Sequence, residues 1–487
     1  MGLTDSLSNY FGFEEHGTDL PTELLAGVTT FLTMSYIVIV NPSILAVAIV
    51  EGPGPDVGRS FAEVQQMLAV VTLISAAVAT FVMALYANRP FGQAPGLGLN
   101  AFFAFTVVLG LGIPWNTALA AVVVEGVVFM LLTAAGAREY IIRVFPQPVK
   151  FAVGGGIGLF LAIIGLDAMR VIASEPVTYI QLSPVFAQDP VAVVGVVGLL
   201  FTFALYARGI PGSIVFGILG TSVLGAVVSG LGYSAYSPQR LQENMGVTIA
   251  DASLAPSVES LTYSAAGYDI SPLVGAFLSG FENVDALGFA LVVFTFFFVD
   301  FFDTAGTLTG VSQIAGFLDE DGNLPDIDKP LMADAIGTTV GGILGTSTVT
   351  TYIESATGVE EGGRTGMTAL VVAILFVGSL AIVPLASAVP LYASHIALVV
   401  IAVLMLRNLV EIDWADYTHA VPAGLTMLVM PFTYSIAYGI AAGIISYPIV
   451  KAAAGEFEDV RPGHWVLAAA FVAYFVVRTG GILRATL

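Results

Sequence analysis

Long apolar stretches separated by short polar ones recur from one end of the chain to the other. Most are about 20 residues long, the length of a helix that crosses a bilayer. The pattern predicts spans at 24–50, 66–86, 94–109, 116–137, 150–169, 191–206, 212–231, 287–309, 331–345, 350–358, 366–389, 394–411, 418–432, 434–450 and 463–483. A polar stretch over 232–286 follows the first seven. The chain is therefore predicted to be an all-α polytopic membrane protein.

Two of these spans are too short or too polar for an ordinary membrane helix. Residues 94–109 read APGLGLNAFFAFTVVL, with a proline and two glycines near the start. Residues 346–358 read TSTVTTYIESATG and carry Glu354. Backbone that is not helical is tolerated at membrane depth only inside protein or along a cavity. Both segments are predicted to be interrupted and to line a polar cavity.

Full and interrupted segments follow the same order in the two halves of the chain. Each half has seven segments, the third of them interrupted, and an odd number gives the halves opposite orientations. A short echo, S-I-x-x-G-I, occurs within 209–220 and again within 431–443. Interrupted segments at corresponding positions indicate a transporter's binding site. Segment 463–483 falls outside this count and is either a further crossing or a helix lying in the membrane interface.

Composition supports the membrane assignment. The chain of 487 residues is 57% hydrophobic and only 10% charged, with a mean hydropathy of +0.91, whereas soluble domains carry roughly 25% charged residues. The first 23 residues contain no Lys or Arg, so no cleavable signal peptide is predicted. The chain has no cysteine, which excludes disulfides and thiolate metal sites.

The charge balance is strongly acidic. The formal net charge is -21, and only Lys150, Lys329 and Lys451 among the 15 basic residues are lysines. Acid-rich, lysine-poor loops suit solvation at high salt, so the composition points to a halophilic source.

The positions of the basic residues predict the orientation of the chain. With a cytoplasmic N-terminus and alternating sides, the inside loops hold Arg89, Arg138, Arg143, Lys150, Arg208, Lys329, Arg364, Arg407, Lys451 and Arg461, and the outside loops hold Arg59, Arg170 and Arg240. Cytoplasmic loops of membrane proteins carry the excess of Lys and Arg. We therefore expect a multi-pass protein of the cell membrane with its N-terminus in the cytoplasm.

Two aspartates stand in the apolar run FFFVDFFDTAGTLTG, residues 296–310. Asp300 and Asp303 are one helical turn apart and so share a face. A charged Asp at the bilayer centre costs about 2.5–3.5 kcal/mol. The pair therefore either faces a ligand or proton site in a polar cavity, or bonds neighbouring helices and holds the bundle together.

Other polar residues at membrane depth are candidates for the same site. Asn100 can donate and accept, which suits the edge of a nitrogen heterocycle, although it could instead be a helix N-cap. Gly98 allows either close approach of a ligand or helix packing. Glu125 either joins a proton path or pairs with a neighbour. Glu354 faces the cavity or lies near the membrane surface.

No metal-ligand cluster, nucleophile–base pair or nucleotide-binding motif occurs in the sequence. The chain is therefore expected to use no cofactor or metal, to bind no nucleic acid and not to be an enzyme.

Three motifs, QAPGLGLNAFFAF (93–105), FFFVDFFDTAGTLTGV (296–311) and GTSTVTTYIESATGVEEGGRTG (345–366), resemble the signature regions of the AzgA-like purine permeases. The segment TELLAGVTTFLTMSYIVIVNPSIL (22–45) resembles the first span of the same family. These permeases belong to the nucleobase–cation symporters (the xanthine/uracil permease family) and transport adenine, guanine and hypoxanthine. The resemblance extends from about residue 14 to residue 483 and rests on all the motifs together.

The resemblance implies the uracil-permease fold. That fold has 14 segments in two inverted repeats of seven, with the third and tenth segments each formed by a short strand and a half-helix. Segments 1–4 and 8–11 form a core domain, and the others form a gate domain. On this chain the implied division is a cytoplasmic segment 1–23, core halves 24–137 and 287–389, gate halves 150–231 and 392–451, an extracellular loop 232–286, and a C-terminal apolar segment 452–487.

The resemblance also implies roles for individual residues. Asn100, Asp300 and Glu354 match substrate-contacting positions of the family, and Gly98 and Asp303 match positions needed for transport. The implied function is import of purine nucleobases by cation symport, through an elevator-type motion of core against gate. The coupling cation is a proton or, given the saline composition, sodium. Relatives of this fold often work as homodimers.

Two alternatives stay open on the same fold. One is transport of another nucleobase, uracil or xanthine. The other is transport of a small anion, as in the sulfate-transporter relatives. The interrupted segments offer Asn100 and Glu354 with no Lys or Arg, and like charges repel, so the anion alternative is disfavoured.

Overall fold

The structure is a computed structural model that describes residues 3–136, 145–257, 259–261, 264–282, 284, 286–319 and 324–479. Within these ranges, nine helical segments are long and apolar enough to cross a membrane. They are Leu20–Glu51, Phe61–Ala87, Trp115–Ala134, Gln147–Ala168, Pro190–Ala207, Ser213–Gly230, Gly288–Ala315, Leu391–Glu411 and Ile436–Ala453. The expected basic residues Arg138 and Arg143 lie outside the described residues.

The helices of the first half follow the predicted spans closely. They are α1 (Leu3–Phe11), α2 (Phe13–His16), α3 (Leu20–Met34), α4 (Ile37–Glu51), α5 (Phe61–Val82), α6 (Leu97–Ala101), α7 (Trp115–Ala134), α8 (Gln147–Ala168), α9 (Pro190–Ala207) and α10 (Ser213–Gly230). The strand β1 (Gln93–Pro95) precedes α6, and π-helical turns continue α5 over Met83–Ala87 and α6 over Phe102–Gly110. The predicted span 24–50 is divided into α3 and α4 by two residues in turn conformation, 35 and 36.

The second half has the same sequence of full and interrupted segments. Its elements are α13 (Ala286–Ala315), α14 (Asp328–Leu344), β4 (Val349–Thr351), α15 (Ser355–Glu360), α16 (Gly366–Gly378), α17 (Pro384–Ala388), α18 (Leu391–Ser394), α19 (Ile396–Met405), α20 (Tyr417–Thr433), α21 (Ile436–Ala453) and α22 (Pro462–Thr479). The helix α22 occupies the predicted segment 463–483 up to residue 479, and residues 480–487 lie outside the described residues.

The described residues of the predicted outer loop include several short elements of secondary structure. The loop contains α11 (Pro238–Met245), α12 (Ala265–Tyr268) and the 3₁₀ turns Glu259–Leu261 and Ala276–Phe281, and the hairpin of β2 (Ile172–Glu175) and β3 (Tyr179–Leu182) borders it. Buried Arg170 holds the segment in place. Its guanidinium pairs with Asp189 at 3.1 Å and donates to the carbonyl oxygens of Tyr236 at 2.9 Å and Ala250 at 2.7 Å.

Contacts between Cα atoms divide the chain into two compact units. The first comprises residues 1–134 and 164–400 and contains both interrupted segments. The second comprises residues 135–163 and 401–487, in which α20 and α21 pack together. The division into core and gate domains stays a prediction.

The sequence echo S-I-x-x-G-I has a structural counterpart. Its glycine in α10, Gly217, lies against Thr202 of α9, and its glycine in α21, Gly439, lies against Met430 of α20. A Cβ at either glycine would overlap the facing side chain. The echo therefore marks two helix pairs that each pack closely at a glycine, and the inverted repeat itself stays a prediction.

Candidate functional site

The two interrupted segments meet in a short antiparallel ribbon. Residues Gln93, Ala94 and Pro95 of β1 lie opposite Thr351, Thr350 and Val349 of β4. All the residues of this ribbon are buried. The Val and Thr side chains of β4 favour extended backbone, and strand pairing supplies the hydrogen bonds that extended backbone needs at membrane depth.

The helices that continue the two strands begin at opposite ends of the ribbon. After β1 the chain enters α6, which carries Asn100, and after β4 it reaches Glu354 and enters α15. The hydroxyl of Tyr352, just beyond β4, donates to the carbonyl oxygen of Pro95 at 2.5 Å. Asn100 and Glu354 therefore lie beyond the two ends of one ribbon about 7 Å long.

Glu354 is half-buried and has a hydrogen-bond donor from the first span. The hydroxyl of Tyr36, in the turn between α3 and α4, donates to Glu354 Oε1 at 2.7 Å. Half-buried Asp303 interacts electrostatically with Glu354 and Tyr352. This end of the ribbon thus has two carboxyl groups and two phenolic hydroxyls.

At the other end of the ribbon, Asn100 is fully buried. Its Oδ1 accepts a hydrogen bond from the hydroxyl of Ser347, and its Nδ2 has no partner among the described residues. Gly96, not Asn100, precedes α6, so the alternative role of Asn100 as a helix N-cap is not realised. A buried amide with a free N–H can donate to a ring nitrogen or carbonyl oxygen of a ligand.

Asp300 and Asp303 contact different residues, although they are one helical turn apart. Asp300 is fully buried. Its Oδ2 lies 3.3 Å from Thr338 Oγ1 and its Oδ1 lies 3.4 Å from Thr304 Oγ1. The structure therefore places Asp300 in a polar cluster beneath the ribbon, between α13 and α14, whereas Asp303 lies near Glu354.

Asp334 of α14 is the best-bonded acid of this cluster, and sequence reasoning missed it. Its Oδ1 accepts from Gln93 Nε2 at 3.0 Å and from the backbone N and side-chain Oγ1 of Thr351 at 2.7 and 2.9 Å. Its Oδ2 accepts from Thr304 Oγ1 at 2.8 Å. Asp334 thus anchors both strands to α13 and α14.

Glu125 of α7 completes the cluster. It is fully buried, and neither of its carboxyl oxygens receives a hydrogen bond from a hydroxyl, amide or basic group among the described residues. Its side chain lies within hydrogen-bonding reach of Asp300 and interacts electrostatically with Asp334. The adjacent Gly126 allows this approach, because a Cβ there would lie 2.5 Å from Thr339 Oγ1 of α14.

Of the sequence-predicted residues, Asp303 and Glu354 therefore come together at one end of the ribbon, Asn100 lies at the other, and Asp300 and Glu125 meet in the buried cluster. Gly98 is the second residue of α6 and is half-buried. Asp334, like Glu125, is an acid inside a predicted apolar span, so the same sequence signal could have identified it. Tyr36 and Ser347 had no signal of their own, because their roles depend on which segments meet.

Comparison with known proteins places the chain in a family. A family model described as "Permease family" matches residues 21–442. The chain is 37% identical to the adenine permease AdeP of Escherichia coli over 470 residues, 96% of either chain. It is 36% identical to the guanine/hypoxanthine permease PbuG of Bacillus subtilis over 470 residues, 96% of this chain and 99% of the relative.

A solved structure with the same fold is the transmembrane domain of the cyanobacterial bicarbonate transporter BicA. The TM-score is 0.55, with 15% sequence identity, over 87% of this chain and 97% of that one. The likeness confirms the predicted helical transporter fold and carries no argument about the substrate. The relatives are transporters, so the expectation that the chain is not an enzyme is confirmed as well. The chain belongs to this permease family, and it is a multi-pass membrane transporter.

Proposed function

We propose that the chain imports purine nucleobases by cation symport. The observation that carries the proposal is the buried ribbon with Glu354 beyond one end and the unpartnered Asn100 amide beyond the other. The relatives named as adenine and guanine/hypoxanthine permeases support the same class of substrate. Purines are flat, neutral and rich in N–H donors and ring acceptors, which are the groups that a carboxylate and an amide recognise.

Each end of the ribbon would recognise a different edge of the base. The Glu354 carboxylate accepts from ring or exocyclic N–H groups, and Tyr36 orients it. The Asn100 Nδ2 donates to a ring nitrogen or carbonyl oxygen of the base. Full burial of Asn100 excludes water from its amide, which strengthens its bond to the base and penalises a ligand that leaves it unpaired.

The acids also bear on the alternative substrates. The residues that meet at the Glu354 end are Glu354, Asp303, Tyr36 and Tyr352, with no basic side chain among them. An inorganic anion would meet like charge there without a compensating cation. Uracil and xanthine remain alternatives, because they offer the same kinds of edge.

Transport by an elevator-type motion of core against gate, driven by protonation of one of the site's acids, is part of the proposal. Sodium is the alternative coupling cation. Asp303 would take part in coupling, which its electrostatic interactions with both Glu354 and Asp334 support. Asp300 is fully buried beneath the ribbon. It would influence the site through its charge and would not contact the base.

The test is uptake of labelled hypoxanthine, adenine and guanine into proteoliposomes, with uracil and bicarbonate as competitors. Glu354→Gln is expected to abolish purine uptake. Glu360→Gln is the matched control, because Glu360 ends the same short helix and is exposed. Vesicles that ignore purines and accumulate bicarbonate or uracil would overturn the proposal.

A further inference from the structure

The buried cluster of Glu125, Asp300 and Asp334 contains three carboxyl groups and no basic partner. All three residues are fully buried. Among the ion pairs of the described residues, none involves any of these groups or Asp303. Among the described residues, the hydrogen-bonding groups around the cluster are neutral, namely Gln93, Thr304, Thr338, Thr350 and Thr351. A fourth carboxyl group, that of Asp303, acts electrostatically on Asp300 and Asp334. Three like charges cannot be buried together without compensation.

The hydrogen bonds show which member carries the charge. Asp334 accepts four bonds, one of them from a backbone N–H and one from an amide, and these groups can only donate. A carboxylate that accepts several such bonds is stabilised in its ionised form. Asp334 is therefore the fixed negative charge of the cluster.

The hydrogen bonds around Asp300, in contrast, favour its protonated form. The single hydroxyl hydrogen of Thr338 is used on the carbonyl oxygen of Val349 at 2.8 Å. Its donation to Asp300 Oδ2, at 3.3 Å, is therefore a weak second use of the same hydrogen. Asp300 thus lacks the strong donors that would stabilise its ionised form. The hydrogen of Thr304 is likewise used on Asp334 at 2.8 Å, and its contact with Asp300 Oδ1 is longer, at 3.4 Å.

Glu125 provides the independent observation. Its carboxyl group is fully buried, and apart from the carboxyl group of Asp300, within hydrogen-bonding reach of it, no group among the described residues bonds to either oxygen. Two ionised carboxylates have no hydrogen to share and repel each other. A single proton between them converts that repulsion into a charge-assisted O–H···O bond, which is among the strong hydrogen bonds of proteins.

We infer that Glu125 and Asp300 share one exchangeable proton and form the cation site of the transporter, separate from the groups proposed to contact the purine. Release of the proton leaves two facing carboxylates above the fixed charge of Asp334, and its return restores the bond. Asp303 interacts electrostatically with Asp334 and with Glu354, and so connects this proton site to the proposed purine-contacting carboxyl group. The coupling role rests on the proposed function, whereas the shared proton does not.

The first experiment needs no purine. Infrared spectroscopy of the purified full-length protein at neutral pH is expected to show a carboxylic acid C=O stretch that shifts in heavy water. The signal should disappear in Glu125→Gln and in Asp300→Asn, since in each an amide N–H takes the place of the shared proton. It should persist in Glu51→Gln, a change of an exposed glutamate at the end of α4. A wild-type protein without the signal, or a signal that survives both variants, would overturn the inference.

The second experiment tests coupling in proteoliposomes with labelled hypoxanthine. For one proton per base, an inward gradient of one pH unit supports about tenfold accumulation. In Glu125→Gln the ratio of uptake with the gradient to uptake without it should fall from about ten to about one. Wild-type accumulation that follows a sodium gradient and ignores the proton gradient would overturn the coupling role. Infrared results as expected without any purine uptake would uphold the proton site and overturn the proposed substrate.

Discussion

The hydroxyl of Tyr36 donates a 2.7 Å hydrogen bond to Glu354, which lies 318 positions later in the sequence. The bond is possible because the first predicted span is two helices, and Tyr36 lies in the turn between them. A residue in the first span thereby orients a carboxylate in the second interrupted segment.

Loss of the Tyr36 hydroxyl should weaken purine binding without removing the site. Hydrogen bonds to charged groups contribute about 1.5–3 kcal/mol, so Tyr36→Phe is expected to raise the KM for purine uptake about tenfold or more. Tyr86→Phe, a change of an exposed tyrosine in the turn that continues α5, is the control. An unchanged KM in Tyr36→Phe would show that the bond does not serve binding.

Replacing Asn100 should affect purine affinity much more than the thermal stability of the protein. Its Nδ2 is buried without a partner, so removing the amide relieves an unsatisfied polar group. Asn100→Leu also removes the acceptor of the buried Ser347 hydroxyl, so the thermal unfolding temperature is expected to change little. Calorimetry should show hypoxanthine affinity reduced at least tenfold. Asn116→Leu is the control, because this amide on α7 also keeps one polar atom without a partner and donates to Ser279 at 3.0 Å. Its loss should leave hypoxanthine affinity unchanged.

Asp334 is expected to be essential to the fold of the ribbon. In Asp334→Asn the backbone N–H of Thr351 and the amide of Gln93 lose a charged acceptor, and uncompensated burial of such donors costs about 1–3 kcal/mol each. The protein should unfold at a temperature lower by several degrees. Asp328→Asn, at the exposed start of the same helix, should change that temperature little. Equal unfolding temperatures for the two variants would contradict the anchoring role.

The Arg170–Asp189 ion pair should hold the outer segment against the membrane helices. Both side chains are fully buried, and breaking a buried pair by removing one partner costs about 3–5 kcal/mol. Arg170→Gln is expected to make the chain between residues 232 and 257 sensitive to limited proteolysis. Arg240→Gln, a change of an exposed arginine in α11, should not. Equal cleavage of the two variants would show that the pair does not order this segment.

Local features of the sequence were enough for much of the fold. The apolar stretches determined where helices form, because about 20 apolar residues are needed to cross a bilayer and every backbone group there must be bonded internally. The Pro-Gly and Thr-rich compositions of 94–109 and 346–358 predicted two interrupted segments, and both contain a short strand. The motifs around Asn100, Asp300 and Glu354 predicted the permease family, which the relatives confirm.

What the sequence could not supply was the set of partners. Asp300 and Asp303 share a helical face in the sequence pattern, yet Asp300 contacts Thr338 of α14, whereas Asp303 interacts electrostatically with Glu354. In the sequence, Asp334 is only an acid inside an apolar span. Its role depends on the donors that β1 and β4 supply, Gln93 and Thr351. Glu125 meets another carboxyl group because α7 packs against both α13, which carries Asp300, and α14, which carries Asp334.

The sequence by itself thus determined where membrane helices form, where they are interrupted and which family the chain belongs to, because these depend on local hydrophobicity and on contiguous motifs. Only the tertiary structure decided which acids lie together in the buried cluster and which lie at the end of the ribbon. Hydrogen bonds at membrane depth are exchanged between residues hundreds of positions apart, as with Tyr36 and Glu354 or Gln93 and Asp334. Whether a carboxyl group at membrane depth is ionised depends on how many hydrogen bonds its neighbours donate to it.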